Sequence, residues 1–495
     1  MTDSSAPPLP DEWPSVVAGA GPAGLTAAFT LARNGTAPLV LEASPWIGGI
    51  SRTHQWNGNR IDIGGHRFFT KSTLVQQLWK DMMDEPMQQV PRMSRIYYGG
   101  RFYQYPLRIL NTVGNLGIVE SFRMLASYVM ARIRPRHPED SFEDWVRNRF
   151  GDRLYRTFFK TYTEKVWGIP CTEIRADWAA QRIHGLSFVS AVLNALRNTG
   201  NVKSLITTFD YPRLGPGMLW ESAAAKVTAM GGRVVTSARI VRVHHDHGRV
   251  SAVDVETGER TQTIRCRNLI SSIPLPVLVR NLEPSPPPEI RTAAAGLRYR
   301  DFLIVALTCR RPDIFPDNWI YIHAPSARVG RIQNFRNWSP DMIAPGTGTT
   351  LGMEYFCSRG DDLWNMPDED LVKLARQEIV QLGLAQEKDI GTEGHVIREL
   401  NAYPVYDAAY RAHVDTLSKW FSQSPTLQSA GRNGMHRYNN QDHSMLAGYH
   451  AALRQLGRET EDPWQVNTER SYHEEQVLPD RQATDILASE ESPAA

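Results

Sequence analysis

Val16-Val17-Ala18-Gly19-Ala20-Gly21-Pro22-Ala23-Gly24-Leu25 is the stretch that decides the fold. Two valines end a short apolar strand, and Gly19, Gly21 and Gly24 follow at G-x-G-x-x-G spacing. The first glycine permits a tight turn, the second lets backbone approach a pyrophosphate, and the third lets a helix pack on the strand. Ala23 belongs to the same turn. Residues 25–33 read as the helix, with its positive end toward the phosphates. Leu39-Val40-Leu41 reads as a second strand ending at Glu42. That acid stands about 20 residues downstream, where a ribose hydroxyl is gripped. A lone glycine motif is weak; strand, helix, strand and acid in register predict a dinucleotide site.

Gly48-Gly49-Ile50-Ser51-Arg52-Thr53 comes next. It resembles the second glycine motif of FAD oxidoreductases of the amine-oxidase type, which NAD dehydrogenases lack. FAD is therefore preferred over NAD, against the plainer reading of a hairpin turn. Gly49 would lie against the cofactor, and Arg52 would face its diphosphate, since arginine grips phosphate bidentately.

At 495 residues the chain is too long for one core, and two or three subdomains are expected. Hydrophobic content of 41% and charged content of 22% describe an ordinary globular protein. A net charge of +2 gives no electrostatic case for nucleic acid. Cys171, Cys266, Cys309 and Cys357 show no C-x-x-C spacing, so neither a metal site nor a disulfide framework is expected. The polar, proline-rich start does not read as a signal peptide. No apolar run approaches the roughly 18 residues of a membrane span. The expectation is a cytoplasmic protein; the oligomeric state stays open, a homo-oligomer included.

The fold class expected is α/β: a Rossmann-type FAD-binding domain with a helical insertion and a mainly antiparallel β-sheet domain. The FAD-binding domain is expected from residues 15–104, 225–290 and 425–460. A helical substrate domain is expected at 105–205, and the sheet domain from 206–224 and 291–424. Residues 1–14 and 476–495 read as disordered tails. Leu371, Leu374, Ile379 and Leu382 make the apolar stripe of one helix. From Ser444 another stripe runs through Leu446, Tyr449, Leu453 and Leu456, with Gly457 as a stop. Asp442 or Ser444 would cap that helix.

Further segments carry a resemblance. Ile61-Asp62-Ile63-Gly64-Gly65-His66-Arg67-Phe68-Phe69 is one, and Lys165-Val166-Trp167-Gly168-Ile169-Pro170 followed by Arg182 another. Tyr211-Pro212-Arg213, Trp319-Ile320-Tyr321, Arg331 and Asn337-Trp338-Ser339-Pro340 follow in order. Tyr403-Pro404 and Gly431-Arg432 through Asn440-Gln441-Asp442-His443-Ser444 complete the set. Together they resemble the UDP-galactopyranose mutase family in its longer eukaryotic form, over most of residues 15–455.

The resemblance implies a flavoenzyme without net redox chemistry. Reduced flavin attacks the anomeric carbon of a nucleotide sugar through N5 and displaces the nucleoside diphosphate. The adduct lets the sugar open and reclose as pyranose or furanose. The residues implied for the diphosphate are Arg182 and Arg331, catalytic guanidinium groups that spread the leaving-group charge. Tyr321, Tyr403 and Tyr438 would donate hydroxyls to the same oxygens, with Trp167 and Trp319 lining the substrate site. His66 is implied beside flavin N5, where Gly64 and Gly65 let backbone approach the ring. Arg432, Asn440, Gln441 and Ser444 would line the flavin from the C-terminal side. Arg92 and Ser94 match positions engaging NAD(P)H as external reductant. The other thirteen histidines read as surface residues.

Departures from the family pattern cluster at the base pocket. Tyr105 and Phe158 are kept, but Arg108 replaces a glutamine, Leu107 a phenylalanine, Thr163 an asparagine, Ile206 an asparagine and Trp338 a tyrosine. Losing a base-edge hydrogen bond weakens recognition of that base. Arginine suits guanine O6 and N7, so the nucleotide is read as UDP-galactose-like or a GDP-hexose. The competing readings are an FAD oxidoreductase of the amine-oxidase, desaturase or protoporphyrinogen-oxidase type, and a flavoprotein that only binds.

Overall fold

A computed structural model describes residues 9–105, 107, 109–176 and 207–467. Arg108, Arg182 and Ile206, and the tail expected at 476–495, lie outside them. The protein is a mixed α/β fold. A five-stranded parallel sheet runs in the order Leu427–Ser429, Asn268–Ser271, Ser15–Ala18, Pro38–Leu41, Arg233–Val235. Its strands are short, and all but the half-buried edge strand Arg233–Val235 are wholly or largely buried, as parallel strands covered on both faces must be. The helix Pro22–Arg33 covers it and is itself covered by the helix Gln441–Gln455. A Cβ on Gly448 would lie 2.1 Å from the carbonyl oxygen of Ala23, and one on Gly431 2.6 Å from Ala23 Cβ. The two glycine-rich signatures, far apart in sequence, thus meet at one alanine.

A second, seven-stranded sheet has the order Ile390–Pro404, Tyr299–Cys309, Thr349–Cys357, Arg331–Asn334, Trp319–Ile322, Ser94–Tyr98, Arg101–Gln104. Its neighbours are antiparallel except Trp319–Ile322 with Ser94–Tyr98. Register fixes what each face carries, since side chains alternate along a strand. Ile397, Ile304, Glu354, Arg331, Tyr321, Ile96 and Tyr103 stand in one row across it. Leu303, Val305, Ile320, Ile332, Met353 and Tyr355 point the other way. They form a separate core with Leu371, Ala375 and Ile379 of the helix Asp368–Gln381. In chain order the helices Ile109–Leu116, Ile118–Ile133, Phe142–Phe150 and Thr161–Trp167 follow the strand Arg101–Gln104.

Three local expectations need correction. Residues 9–14 are not loose: Trp13 Nε1 donates to Ala37 O at 2.7 Å and Gln262 Nε2 to Leu9 O at 3.0 Å. A large indole with a reachable carbonyl outweighs the polar, proline-rich composition around it. The C-terminal helix starts at Gln441, capped by Asn440, and His443 Nδ1 closes the box by accepting from Asn440 N–H at 3.3 Å. Its first turn is polar yet buried, so the apolar stripe begins one turn late. His323, His436 and His450 are buried rather than on the surface. The four cysteines are buried and free.

Candidate functional site

The site begins at the first glycine turn. Gly19 N–H donates to Leu41 O at 2.8 Å. Glu42 Oε2 accepts from Ala20 N–H and Oε1 from Ser44 N–H, both at 2.8 Å. Gly19 has φ +95°, and a Cβ on Gly24 would lie 1.9 Å from Gly19 O, so no side chain fits there. The second motif folds over the first: Gly48 N–H donates to Ala20 O at 2.8 Å, and a Cβ on Gly49 would lie 3.2 Å from Gly21 Cα. The result is a side-chain-free cradle at the N-terminus of the helix Pro22–Arg33. That helix has no side-chain cap and no acid in its first turn, so its leading N–H groups are left for an anion.

Arg52 is held nearby. Nη1 donates to Gly49 O at 2.9 Å and Nη2 pairs with Glu399 at 2.6 Å, while Nε is buried without a partner among the described residues. Its cation is already shared with a carboxylate, which tempers the expectation that it faces a diphosphate. Gln441, buried at the start of the C-terminal helix, has neither amide atom hydrogen-bonded among the described residues. A buried amide with both ends unmet costs energy unless a bound group meets them. Cradle, open helix end and unmet amide fit a dinucleotide cofactor such as FAD.

Arg331 anchors the second half of the site. It stands opposite Tyr321 on one neighbouring strand and Glu354 on the other. Its Nε lies 2.6 Å from Glu354 Oε2, and Nη2 reaches the same oxygen. Gln333 Nε2 donates to Glu354 Oε1. Nη1 of Arg331 has no hydrogen-bond partner among the described residues. Burial pushes the Glu354 carboxyl above the usual carboxylate range, against the pull of Arg331. Glu354, Gln333 and Tyr162 were missed in the sequence. The one available signal was a single acid in the otherwise uncharged run Thr349–Cys357.

The Gly64-Gly65-His66 segment lies on this face. Cβ atoms built on Gly64 and Gly65 would sit 3.6 Å from Arg331 Nη2 and 3.4 Å from Gln333 Nε2. His66 Nε2–H donates to Ile63 O at 2.7 Å. Burial, with Arg432 and Arg331 nearby, pushes its pKa down to about 4. The imidazole is therefore neutral at neutral pH.

Aromatic rings complete the walls. Tyr403 and Tyr438 stack at 5.7 Å, with Trp167 6.5 and 6.0 Å from them. The Arg432 guanidinium lies 4.7 Å over the Tyr438 ring, while its Nε donates to Asn439 O at 2.9 Å. Tyr321 packs against Tyr105 at 5.0 Å, Tyr162 at 5.4 Å and Trp319 at 6.2 Å. Burial holds the Tyr403 and Tyr162 hydroxyls far above the usual phenol range, so both remain proton donors. Arg92 lies 5.6 Å from the Tyr105 ring and 5.9 Å from that of Trp319. Ser94, one strand over from Trp319, is buried with its hydroxyl unmet among the described residues.

Lys165 Nζ donates to the carbonyls of Ile322, Ala324 and Val329 at 3.2, 2.8 and 3.2 Å. It closes the hairpin that carries Tyr321 and Arg331, and burial pushes its pKa down to about 8. Phe158 packs on Tyr103 at 5.0 Å and Tyr98 at 6.1 Å, and Thr163 is buried. Ser444 is buried one turn into the C-terminal helix. Among the described residues no cluster of histidine, cysteine or acid could hold a metal ion.

A family model described as flavin containing amine oxidoreductase matches residues 22–436. Among solved structures, a reduced UDP-galactopyranose mutase superposes with a TM-score of 0.81 at 22% identity, covering 93% of this chain and 98% of that one. A putative protoporphyrinogen oxidase from Exiguobacterium sp. 255-15 gives 0.68 at 16% identity, covering 91% and 100%. Cyclohexylamine oxidase from Brevibacterium oxydans IH-35A gives 0.63 at 15% identity, covering 90% and 100%. At these identities the likeness is one of fold.

Proposed function

The chain belongs to the flavin containing amine oxidoreductase family, and within it we propose that it is an FAD-dependent mutase interconverting pyranose and furanose forms of a nucleotide-linked hexose. The observation that carries this reading is the polar face opposite the glycine segment. Arg331 offers an unmet Nη1 there, beside tyrosines whose hydroxyls stay protonated. A diphosphate leaving group wants that set of donors, and an apolar amine does not.

FAD, when bound, supplies in its reduced form the nucleophile for the anomeric carbon. The chain's own groups do the rest. Gly19, Gly21, Ala23, Gly24, Glu42 and Gly49 hold the dinucleotide end, with Gln441 and Asn440 at the opposing helix start. Arg331 holds the departing diphosphate, with Tyr321, Tyr403 and Tyr438 as hydroxyl donors, and Arg182 is assigned the same task by its motif. His66 is neutral and held against the backbone by its Nε2–H bond to Ile63 O, so it shapes the pocket without adding charge. Tyr105, Arg108, Phe158 and Thr163 are assigned to the nucleotide, and Trp167 and Trp319 to the walls of the substrate site. Arg92 and Ser94 are assigned to NAD(P)H as reductant. The leading nucleotides are a UDP-galactose-like sugar and a GDP-hexose.

Amine oxidation is the second reading. The aromatic wall of Trp167, Tyr403 and Tyr438 favours it, because ring faces attract a cationic amine. Arg432 already lies over Tyr438, however, and a second cation there meets like charge.

Product mass separates the two. The protein, with its flavin reduced by dithionite or NADPH without oxygen, is incubated with UDP-, GDP- and TDP-hexoses. Products are resolved by anion exchange with mass detection. The expected result is an isomer of unchanged mass, absent with oxidised protein. No isomer from any sugar, with an amine losing two hydrogens to the oxidised protein, overturns the mutase reading.

A further inference from the structure

The helix Ile118–Ile133 is amphipathic the wrong way round for a soluble domain. Its solvent side carries Ile118, Val119, Phe122, Val129, Met130 and Ile133, exposed by 84, 67, 70, 47, 58 and 68%. Met124 is its one buried residue. The side turned to the protein is polar: Glu120 pairs with Arg153 at 2.6 Å, and Ser127 Oγ accepts from Arg153 N–H at 3.1 Å. A Cβ on Gly151 would lie 2.7 Å from Tyr128 N, so the helix backbone rests directly on the fold. Ordinary globular helices bury the apolar stripe and expose the polar one. An exposed patch of this size marks a docking surface.

Charge says what docks. At 3.6 residues per turn, Arg123 and Arg132 fall about 90° to either side of the stripe's centre. Arg134 and Arg136 follow the helix, both exposed. Arg136 is paired with Glu143 at 3.5 Å and Asp144 at 3.2 Å, and Arg123 with Glu120 at 3.6 Å, which leaves Arg132 and Arg134 as the cations with no acid partner among the described residues. From Ser121 to Pro138 the chain carries four arginines and no acid. Apolar side chains down with guanidinium groups at both flanks is the arrangement of a helix lying in a membrane interface, where stems bury and cations reach anionic headgroups. A second copy of the chain fits worse: a two-fold contact sets arginine flank against arginine flank, and Glu120 is turned inward. Among the described residues no helix is long and apolar enough to cross a membrane. We propose that the Ile118–Ile133 face docks the protein peripherally on an anionic lipid surface.

Vesicle sedimentation tests this. The probes are vesicles of phosphatidylglycerol and phosphatidylcholine in equal parts, and of phosphatidylcholine alone. The full chain should partition at least about tenfold more strongly onto the anionic vesicles, and about 0.5 M salt should weaken that binding. Phe122→Glu with Val129→Glu should lower it by about tenfold or more. Arg123→Gln with Arg132→Gln, which leaves the stripe intact, should remove the preference for anionic lipid. The exposure of these side chains predicts an unchanged thermal midpoint, which serves as the folding control. No partition onto anionic vesicles, or equal partition by the Phe122→Glu/Val129→Glu protein, overturns the proposal. So does a dimer that the same double variant dissolves in the absence of vesicle binding, which assigns the face to a second copy.

Discussion

Arg331 is oriented before any ligand arrives. Glu354 takes its Nε and Nη2, Gln333 fixes the other oxygen of Glu354, and Nη1 is left to meet a substrate. A pre-oriented guanidinium stabilises developing charge without reorganising, and a lysine has neither the fork nor the delocalised cation. Arg331→Lys should therefore lower kcat/KM of the reduced protein by about 10²–10³, with its flavin absorbance unchanged. A variant within about threefold of wild type in the isomerisation assay would remove Arg331 from the mechanism. At this scale the sequence points to Arg331 only through the family resemblance of the segment that carries it with Trp319 and Tyr321. It does not point to Glu354, because the pairing depends on which residue of a later strand falls opposite.

Two contacts between elements carry testable weight. The helix Gln441–Gln455 reaches the helix Pro22–Arg33 only because residue 448 has no side chain, its Cβ position being 2.1 Å from Ala23 O. Gly448→Ala should cost about 1–3 kcal/mol through overpacking. A fall in thermal midpoint together with a lower flavin-to-protein absorbance ratio would show it. Lys165 closes the hairpin between the strands of Tyr321 and Arg331 with three carbonyl contacts. Lys165→Met removes them at a cost of about 1–3 kcal/mol. It should raise KM several-fold more than it lowers kcat; an unchanged KM would mean that the hairpin holds without the lysine. Of these elements, the helix Pro22–Arg33 was readable from its glycines and the helix Asp368–Gln381 from its stripe. The true start of the helix Gln441–Gln455 was not, because its polar first turn is buried by tertiary contacts that periodicity does not encode.

The whole molecule carries a pH signature. Burial pushes His54, His66, His436 and His450 down to about 4 and His323 to about 3, from an ordinary 6.5. Between those values only the unfolded chain binds the proton. Their contribution to stability is full above about 6.5 and is lost as pH falls toward 4. Asp62, pushed by burial from 3.8 up to about 7, runs the other way: its contribution is full below 3.8 and gone above 7. Burial also raises the Glu354 and Asp210 carboxyls, in the same sense as Asp62. Five strongly lowered histidines outweigh three carboxyls, so the thermal midpoint should fall as pH drops from 7 to about 4.5. A flat or rising midpoint in differential scanning fluorimetry would contradict this balance. None of these shifts was readable in the chain, where all thirteen histidines other than His66 read as surface residues. By itself the sequence determined the dinucleotide turn, the mixed α/β class and the flavin family's glycine segments, because those depend on φ freedom, close backbone approach and local periodicity. Only the tertiary structure decided that Tyr321, Arg331 and Glu354 share one row and that Ala23 meets both Gly431 and Gly448. It also decided that the apolar stripe of Ile118–Ile133 faces outward. Strand register and helix rotation are set by packing across the whole chain, and no local pattern records which side of an element its neighbours will cover.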